Sequence, residues 1–321
     1  MAAATAPAPV PTAIDVRHLV RRFGAFVAVD DVSFEVARGS IFGLLGSNGA
    51  GKSTTFRMLC GLLRPTAGTA IIDGIDVARD PEAVKRRIGY MSQRFSLYEL
   101  LTVEQNIDFF GGVYGLDRRR LAARRAFVLQ MAGLEGRETQ LARDLAGGWR
   151  QRLALGCAIL HEPAVLFLDE PTGGVDPLSR RQFWRLIDGL ADAGVTVLVT
   201  THYLDEAERC QRVALMHAGR IAAIGTPAEV KQVFAGRAIV EIRTARPVEA
   251  MTALDAMPDV QKTSLFGTAV HAVLAARTPG PEEMARRLRE QGFAVDSVAE
   301  VAPSLEDVFL DVVETAERGH A

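Results

Sequence analysis

The sequence contains few cysteines and few large aromatic residues. Its 321 residues include three cysteines, two tryptophans and four tyrosines. Cys60, Cys157 and Cys210 lie far apart, without the spacing of metal ligands, which argues against a cysteine metal site. Each lies in an apolar segment, as expected of a small buried hydrophobic residue. We therefore expect free thiols in a reducing compartment.

Long apolar runs and an excess of either charge are also absent. Lys and Arg number 37 against 39 Asp and Glu, for a formal net charge of −2, so broad electrostatic affinity for nucleic acid is not indicated. No apolar run approaches the roughly 18 to 20 residues that cross a bilayer. The opening MAAATAPAPVPTA lacks the charged-then-apolar order of a secretory signal. We expect a soluble chain without a nucleic-acid partner, and a flexible tail over residues 1–13.

A glycine-rich stretch, GSNGAGKST at residues 46–54, is the most informative feature present. It fills the G-x-x-x-x-G-K-[ST] pattern, in which glycines let several backbone N–H groups converge on phosphate oxygens at a helix N-terminus. Lys52 would meet the outer phosphates, and the Ser53 hydroxyl would bind Mg²⁺. The predicted nucleotide-binding residues are Gly46, Ser47, Asn48, Gly49, Ala50, Gly51, Lys52, Ser53 and Thr54.

The flanking patterns predict an α/β fold around this loop. Nearly continuous apolar runs at residues 41–45, 164–170 and 195–202 are typical of parallel strands that are buried on both faces. Alternation between Ile14 and Gly46 predicts a small antiparallel sheet, and helical spacing from Thr102 to about Leu145 predicts an inserted all-helical region. Nucleotide would bind at the carboxyl ends of the strands.

Two adjacent carboxylates end the buried run LFLDE. Asp169 would hold Mg²⁺ through its hydration shell, and Glu170 would orient and deprotonate an attacking water. The alternative is a solvated pair at the end of a strand.

Beyond Gly236 the pattern changes to strand, helix, two strands, helix and strand. This order predicts a separate, small ferredoxin-like α+β domain over residues 236–321.

The segment LAGGWRQR at residues 145–152, shortly before LFLDEPTGGVDP, resembles the LSGGQ signature of the ATP-binding cassette (ABC) family. Gln93 resembles that family's Q-loop glutamine, Asp176 its D-loop aspartate and His202 its switch histidine, while Phe23 resembles the aromatic residue that stacks on adenine. The resemblance covers about Ile14 to Phe234. It implies a P-loop NTPase, the ABC nucleotide-binding domain, over residues 14–235, with a helical subdomain at about 94–150.

The resemblance also implies a site shared between two subunits. ATP and Mg²⁺ would bind, with Glu170, His202, Gln93 and Lys52 as catalytic residues and with Ser53, Gln93 and Asp169 at the metal. Ala146, Gly147 and Gly148 would contact ATP on a second copy of the chain or on a paralogous cassette. Ala146 and Trp149 replace the family's usual serine and glutamine, and because Ala146 has no hydroxyl we expect a functional but weakened site.

The end of the chain, PSLEDVFLDVV at 303–313, resembles ATP-binding subunits of type-2 ABC exporters. This implies a cytoplasmic ATPase, peripheral on the inner face of the cell membrane, that drives a separate membrane permease for multidrug-like efflux. An apolar cluster after Gln93 would line the groove for the permease; its members are Phe95, Leu97, Tyr98, Leu100 and Leu101.

Several alternatives remain open at this point. The cluster after Gln93 has helical core as an equal interpretation, and Phe23 and His202 have ordinary structural interpretations. The chain could also be a soluble ABC ATPase that acts on ribosomes or DNA, or a scaffold that binds ATP without hydrolysing it. The sequence does not identify the cargo.

Overall fold

The computed structural model describes residues 11–93, 97–275 and 280–318. Its contacts divide the chain into two compact units, Met1–Ile224 and Gly225–Ala321. The strands are β1 (Thr12–Phe23), β2 (Phe26–Ala37), β3 (Ile41–Gly46), β4 (Ala67–Ile72), β5 (Ile75–Asp76), β6 (Ile88–Met91), β7 (Val165–Asp169), β8 (Thr196–Thr201), β9 (Arg212–His217), β10 (Arg220–Gly225), β11 (Ala238–Thr244), β12 (Val260–Phe266), β13 (Ala269–Leu274) and β14 (Val295–Val301). The helices are α1 (Lys52–Leu59), α2 (Pro81–Arg87), α3 (Val103–Val113), α4 (Arg118–Ala132), α5 (Gly147–Ala158), α6 (Pro177–Asp192), α7 (Leu204–Ala207), α8 (Pro227–Lys231), α9 (Pro247–Asp255), α10 (Pro281–Glu290) and α11 (Leu305–Arg318).

The first unit is built on a six-stranded sheet in the order β10-β9-β3-β8-β7-β6. Strand β3 pairs in parallel with β8 and β9, and β7 pairs in parallel with β6 and β8. Every residue of β3, β7 and β8 is buried, which accounts for their continuous apolar sequences. Because these strands are parallel, the residues that follow them meet at one edge of the sheet.

A second, antiparallel sheet in the order β2-β1-β4-β5 covers part of this core. Strand β1 begins at Thr12, which pairs with Ala37, and the buried Ala13 accepts a hydrogen bond from the backbone N–H of Asp73. The carbonyl oxygen of Pro11 accepts a hydrogen bond of 2.9 Å from the N–H of Arg38. The expectation of a flexible tail through Ala13 is therefore wrong for its last three residues, because their backbone bonds to neighbouring segments. Residues 1–10 of that expected tail lie outside the described residues.

Between β6 and β7 the described regular elements are helical: in chain order, α3, α4, a 3₁₀ turn at Ala142–Asp144 and α5. Thr102 starts α3 in a capping box with Gln105, as its residue type predicts. Helix α5 begins after Ala146, which gives no side-chain cap. Phe95 of the expected apolar cluster lies outside the described residues.

The second unit contains an antiparallel sheet in the order β12-β13-β11-β14. With α9 after β11 and α10 after β13, this is the ferredoxin-like βαββαβ arrangement that the sequence predicts, followed by α11. The unit starts at Gly225, so α8 belongs to it, whereas the sequence placed this segment in the first domain. The reason is that α8 packs against α11.

Within the described ranges, no helix combines the length and the apolar character needed to cross a bilayer.

Candidate active site

The phosphate-binding loop after β3 has a backbone that only glycine tolerates at two points. Gly46 and Gly51 have φ angles of 152° and 102°. A Cβ atom would lie 2.4 Å from the carbonyl oxygen of Met216 at Gly46, and 2.6 Å from that of Ala28 at Gly51. Helix α1 begins directly after Gly51 without a side-chain cap. The first N–H groups of α1 are therefore free of side-chain acceptors, as an anion-binding helix terminus requires.

This loop borders a cavity of about 260 Å³. The cavity brings the loop together with Gln93 and Glu170, which are distant in sequence. Of the predicted loop residues, Gly46, Ser47 and the buried Ala50 are not among those that line it. Its lining consists of Phe26, Ala28, Asn48, Gly49, Gly51, Lys52, Ser53, Thr54, Gln93 and Glu170.

Lys52 is held against its own loop. Its side chain is 5% exposed, and Nζ donates hydrogen bonds to the carbonyl oxygens of Gly46 at 2.7 Å and Ser47 at 3.0 Å. Burial lowers the pKa of Lys52, while the negative charges of Glu170 and Asp169 oppose that change. The ammonium group is thus a fixed donor at the cavity.

Asp169, the last residue of β7, is buried, and its Oδ1 accepts a hydrogen bond of 2.6 Å from the Thr200 hydroxyl. Burial raises the pKa of this carboxyl, and the bond from Thr200 opposes the shift. Among the residues that the structure describes, no group of three or more His, Cys, Asp or Glu side chains could hold a metal ion. Asp169, Ser53 and Gln93 offer the oxygen ligands that suit Mg²⁺, which usually completes its shell with water and phosphate oxygens. The donor set therefore fits that ion.

Glu170 is contacted from two sides at the cavity. Gln93 Nε2 donates a hydrogen bond of 2.8 Å to Glu170 Oε2, and His202 Nδ1 lies 3.3 Å from the same oxygen. Glu170 has a left-handed φ of 46°, and its N–H donates to the Thr200 hydroxyl at 2.9 Å. Strained backbone of this kind is typical of functional sites. A carboxylate held in this way can accept a proton from a bound water.

Phe23 and Phe26 face one another at the turn between β1 and β2. Phe23 is 46% exposed, the Arg21 guanidinium lies 4.5 Å from its ring centre, and it is not part of the cavity lining. Phe26 lines the cavity instead. The stacking role of Phe23 remains a prediction, and Phe26 is a candidate that sequence reasoning missed; the two aromatics of FGAF were the available signal.

The signature residues Ala146, Gly147 and Gly148 border a different cavity, of about 440 Å³. A single chain therefore does not bring them to Lys52. Trp149 lies in this second cavity with the Arg137 guanidinium 3.9 Å from its ring centre. The other side of the cavity is formed by the start of α6 and the loop before it, through Gly174, Val175, Asp176, Ser179 and Gln182.

The geometry agrees with comparisons to known proteins. Residues 29–173 match the ABC transporter family, and residues 225–313 match the C-terminal domain of DrrA1-3-like ATP-binding proteins. The daunorubicin resistance ATP-binding protein DrrA3 of Streptomyces coeruleorubidus is 39% identical over 301 residues, covering 93% of this chain and 95% of that protein. The probable multidrug ABC transporter ATP-binding protein YbhF of Escherichia coli (strain K12) is 51% identical over 223 residues, or 70% of this chain. The chain spans only 39% of the length of YbhF.

Among solved structures, a dimeric ATP-binding cassette in a post-hydrolysis state, bound to ADP and Pi, is similar with a TM-score of 0.60 and 25% identity. The match covers 66% of this chain and 98% of that one. The fold, the loop and the extent of the DrrA3 match lead to one conclusion: the chain belongs to the ABC transporter family, as an ATP-binding protein with a DrrA-like C-terminal domain.

Proposed function

We propose that the chain hydrolyses ATP as the cytoplasmic ATPase subunit of an exporter. The observation that carries this proposal is the Glu170 carboxylate, held between Gln93 and His202 at the cavity that the phosphate-binding loop lines. The relatives named for drug resistance and multidrug transport support export, with a drug-like cargo as the expected class.

The residues divide the chemistry between them. Glu170 takes a proton from the water that attacks the terminal phosphorus, while the bond to the leaving ADP oxygen breaks. Gln93 and His202 hold that carboxylate and the attacking water in line with the terminal phosphorus. Lys52, Ser53 and the N–H groups at the start of α1 bind the phosphates. Mg²⁺, when bound by Asp169, Ser53 and Gln93, would neutralise charge that develops on the phosphate oxygens.

Substitution of the proposed base, Glu170, tests whether the chain hydrolyses ATP. We expect Glu170→Gln to reduce the kcat of the purified chain by roughly 10²- to 10⁴-fold while ATP still binds, because the amide cannot accept the proton. Glu135→Gln, an exposed glutamate in the helical region, is the control and should keep full turnover. Equal turnover in wild type and Glu170→Gln would contradict the assignment and favour a scaffold that only binds ATP.

We further infer that two copies, or this chain and a paralogue, close around ATP. The signature residues and Lys52 border separate cavities of one chain, so a second chain must complete each site. A related cassette solved as a dimer with ADP and Pi supports this arrangement. ATP would join the two copies, and hydrolysis would release them.

An exposed apolar patch is our candidate docking surface for the permease. Tyr98 and Leu100 are 48% and 71% exposed, and Phe109 and Val113 of the following helix, α3, are 41% and 64% exposed. The Tyr98 ring packs edge-on against Phe109, with 4.5 Å between ring centres. Of the expected cluster, Leu97 is buried and therefore belongs to the core. Such exposed apolar residues are typical of a protein interaction surface.

Fractionation of native cells tests whether the chain docks on a membrane protein or acts on ribosomes or DNA. The wild-type chain should sediment with membranes, and Leu100→Asp should move it to the supernatant, because a buried unpaired charge opposes docking. Leu62→Asp, at a similarly exposed leucine away from the patch, should leave it on membranes. Sedimentation with ribosomes or nucleoid DNA instead would favour the soluble ABC ATPase.

A further inference from the structure

A buried carboxylate outside the cavity, that of Glu206 in α7, joins two parts of the first unit. Glu206 is 2% exposed. Its Oε1 accepts a hydrogen bond of 2.5 Å from the Thr172 hydroxyl, and its Oε2 accepts one of 2.8 Å from the Thr201 hydroxyl. Both threonines are also buried. Each carboxylate oxygen therefore has a different hydroxyl partner, on a different segment of the chain.

Arg180 adds the opposite charge to this group. Its Nε lies 3.5 Å from Glu206 Oε1, and its guanidinium carbon lies 3.8 Å from the ring centre of Tyr203. We call Thr172, Arg180, Thr201 and Glu206 the Glu206 cluster. Since a buried charge without partners is very costly, the carboxylate is held firmly in place by these three side chains.

The segments that the cluster joins lead to the two cavities. Thr201 immediately precedes His202, whose Nδ1 lies 3.3 Å from Glu170. Thr172 precedes Gly174 and Asp176, which border the signature cavity, and Asp176 caps the helix that carries Arg180. The two segments therefore share one buried carboxylate as a hydrogen-bond partner.

We propose that Glu206 is a positioning residue for ATP hydrolysis. It holds His202 against Glu170 and ties that position to the loop that borders the signature cavity, where the second subunit is expected. The inference rests on the proposed function and deepens it. Glu206 contacts no reacting atom, and it acts through the backbone position of His202 and of residues 172–176.

Three substitutions divide the cluster. Thr201→Val removes the hydrogen bond to Glu206 from the residue next to His202, and Thr172→Val removes the hydrogen bond to Glu206 from the loop. Glu206→Gln removes the charge of the side chain while keeping its shape. Misplacing catalytic groups by about 1 Å can cost on the order of a hundredfold in rate. We expect kcat to fall by roughly tenfold or more in all three variants, with the Kd for ATP unchanged within about twofold.

Thr196→Val is the matched control. Thr196 is a buried threonine at the other end of β8, and its hydroxyl accepts a single hydrogen bond of 3.0 Å from the N–H of Gly39. Loss of the Thr196 hydroxyl should lower the Tm while kcat is kept. The Tm loss in Thr201→Val should be larger, because the Thr201 hydroxyl also accepts a hydrogen bond of 2.9 Å from the N–H of Tyr203. The double variant Thr201→Val with Glu206→Gln should lose less kcat than the two single losses combined, because both substitutions change the same Thr201–Glu206 hydrogen bond.

The experiment measures ATP turnover, ATP affinity and Tm on the full purified chain. A lower Tm with unchanged kcat in Glu206→Gln and Thr201→Val would overturn the inference and leave a structural role only. Additive kcat losses in the double variant would overturn it as well. These outcomes leave the proposed function intact if the turnover of Glu170→Gln is still far below that of the wild type; a wild type without turnover would overturn both.

Discussion

At the scale of single residues, the signature side of the site lacks a hydroxyl at residue 146. Ala146 precedes the first turn of α5 and offers no cap. Ala146→Ser should stabilise the chain without nucleotide by about 0.5–2 kcal/mol, because its hydroxyl can accept a helix N–H. Its bond to a phosphate should also tighten ATP-dependent dimerisation roughly tenfold or more, since one such bond contributes about 1.5–3 kcal/mol.

Analytical ultracentrifugation with ATP in a Glu170→Gln background measures the dimerisation, and the Tm without nucleotide measures the cap. If the serine variant changes neither dimerisation nor turnover, the hypothesis of a weakened site is wrong.

The two glycines that follow Ala146 should respond differently to a methyl group. A Cβ at Gly148 would lie 2.5 Å from Ser179 Oγ and 2.7 Å from Ser179 Cβ, whereas nothing lies within 4 Å of a Cβ at Gly147. We expect Gly148→Ala to reduce the free energy of unfolding by about 1–3 kcal/mol through this clash. Gly147→Ala should be neutral or stabilising by up to about 1 kcal/mol, as for glycine elsewhere in helices.

Urea unfolding followed by tryptophan fluorescence measures both variants. The second substitution Ser179→Gly should restore part of the stability of Gly148→Ala. A loss in Gly147→Ala as large as in Gly148→Ala would contradict the steric explanation.

At the scale of elements, Asn106 of α3 fixes the segment that carries the docking patch. The buried Oδ1 accepts the N–H of Tyr98 at 2.9 Å, and Nδ2 donates to the carbonyl oxygens of Tyr98, Leu101 and Thr102 at 3.0, 3.2 and 2.9 Å. Asn106→Ala leaves these backbone groups without their partner, so we expect a loss of about 2–4 kcal/mol.

Urea unfolding is again the measurement, since Trp149 and Trp184 both lie in the first unit. Gln130→Ala, at an exposed amide of α4, is the control and should stay within about 0.5 kcal/mol of wild type. Similar losses in the two variants would show that Asn106 does not fix the segment.

At the scale of the whole molecule, the second unit should have its own pH dependence. His271 of β13 is buried between Asp307 of α11 and Glu241, with Nδ1 2.9 Å from Asp307 Oδ1 and Nε2 3.5 Å from Glu241 Oε2. Burial lowers the pKa of His271, but the bonds and charges of Asp307 and Glu241 outweigh it and leave the pKa raised. Burial likewise raises the pKa of Asp307, but hydrogen bonds from His271 and Ser304 outweigh that effect and leave it lowered.

The stabilisation from His271 is complete below its ordinary pKa of about 6.5 and is lost as the pH rises through the raised value. The stabilisation from Asp307 is present above the ordinary pKa of its carboxyl group and is lost as the pH falls through its lowered pKa. Calorimetry of wild type and His271→Gln should therefore show a Tm difference that narrows as the pH rises from 6 to 9. A difference that is constant over this range would contradict the assignment.

Local patterns predicted much of the chain correctly. The ABC resemblance and the fold class are confirmed, including the ferredoxin-like sheet, because strand and helix periods are local and the loop pattern is specific. The end of the tail and the start of the second unit differed from expectation. Both depend on partners far away in sequence, Ala37 for Thr12 and α11 for α8.

The sequence by itself determined the chemistry that is available: the glycines and Lys52 of the phosphate-binding loop, the Asp169–Glu170 pair and the missing hydroxyl at Ala146. Only the tertiary structure decided which of these side chains meet. It brings Gln93 and His202 to one oxygen of Glu170. It places Phe26 in the cavity of the phosphate-binding loop and the signature residues in another cavity. It also buries Glu206 between Thr172 and Thr201. The physical reason is that strand order and side-chain packing set contacts such as Gln93–Glu170 and Thr172–Glu206, which join residues 77 and 34 positions apart and leave no local pattern in a sequence.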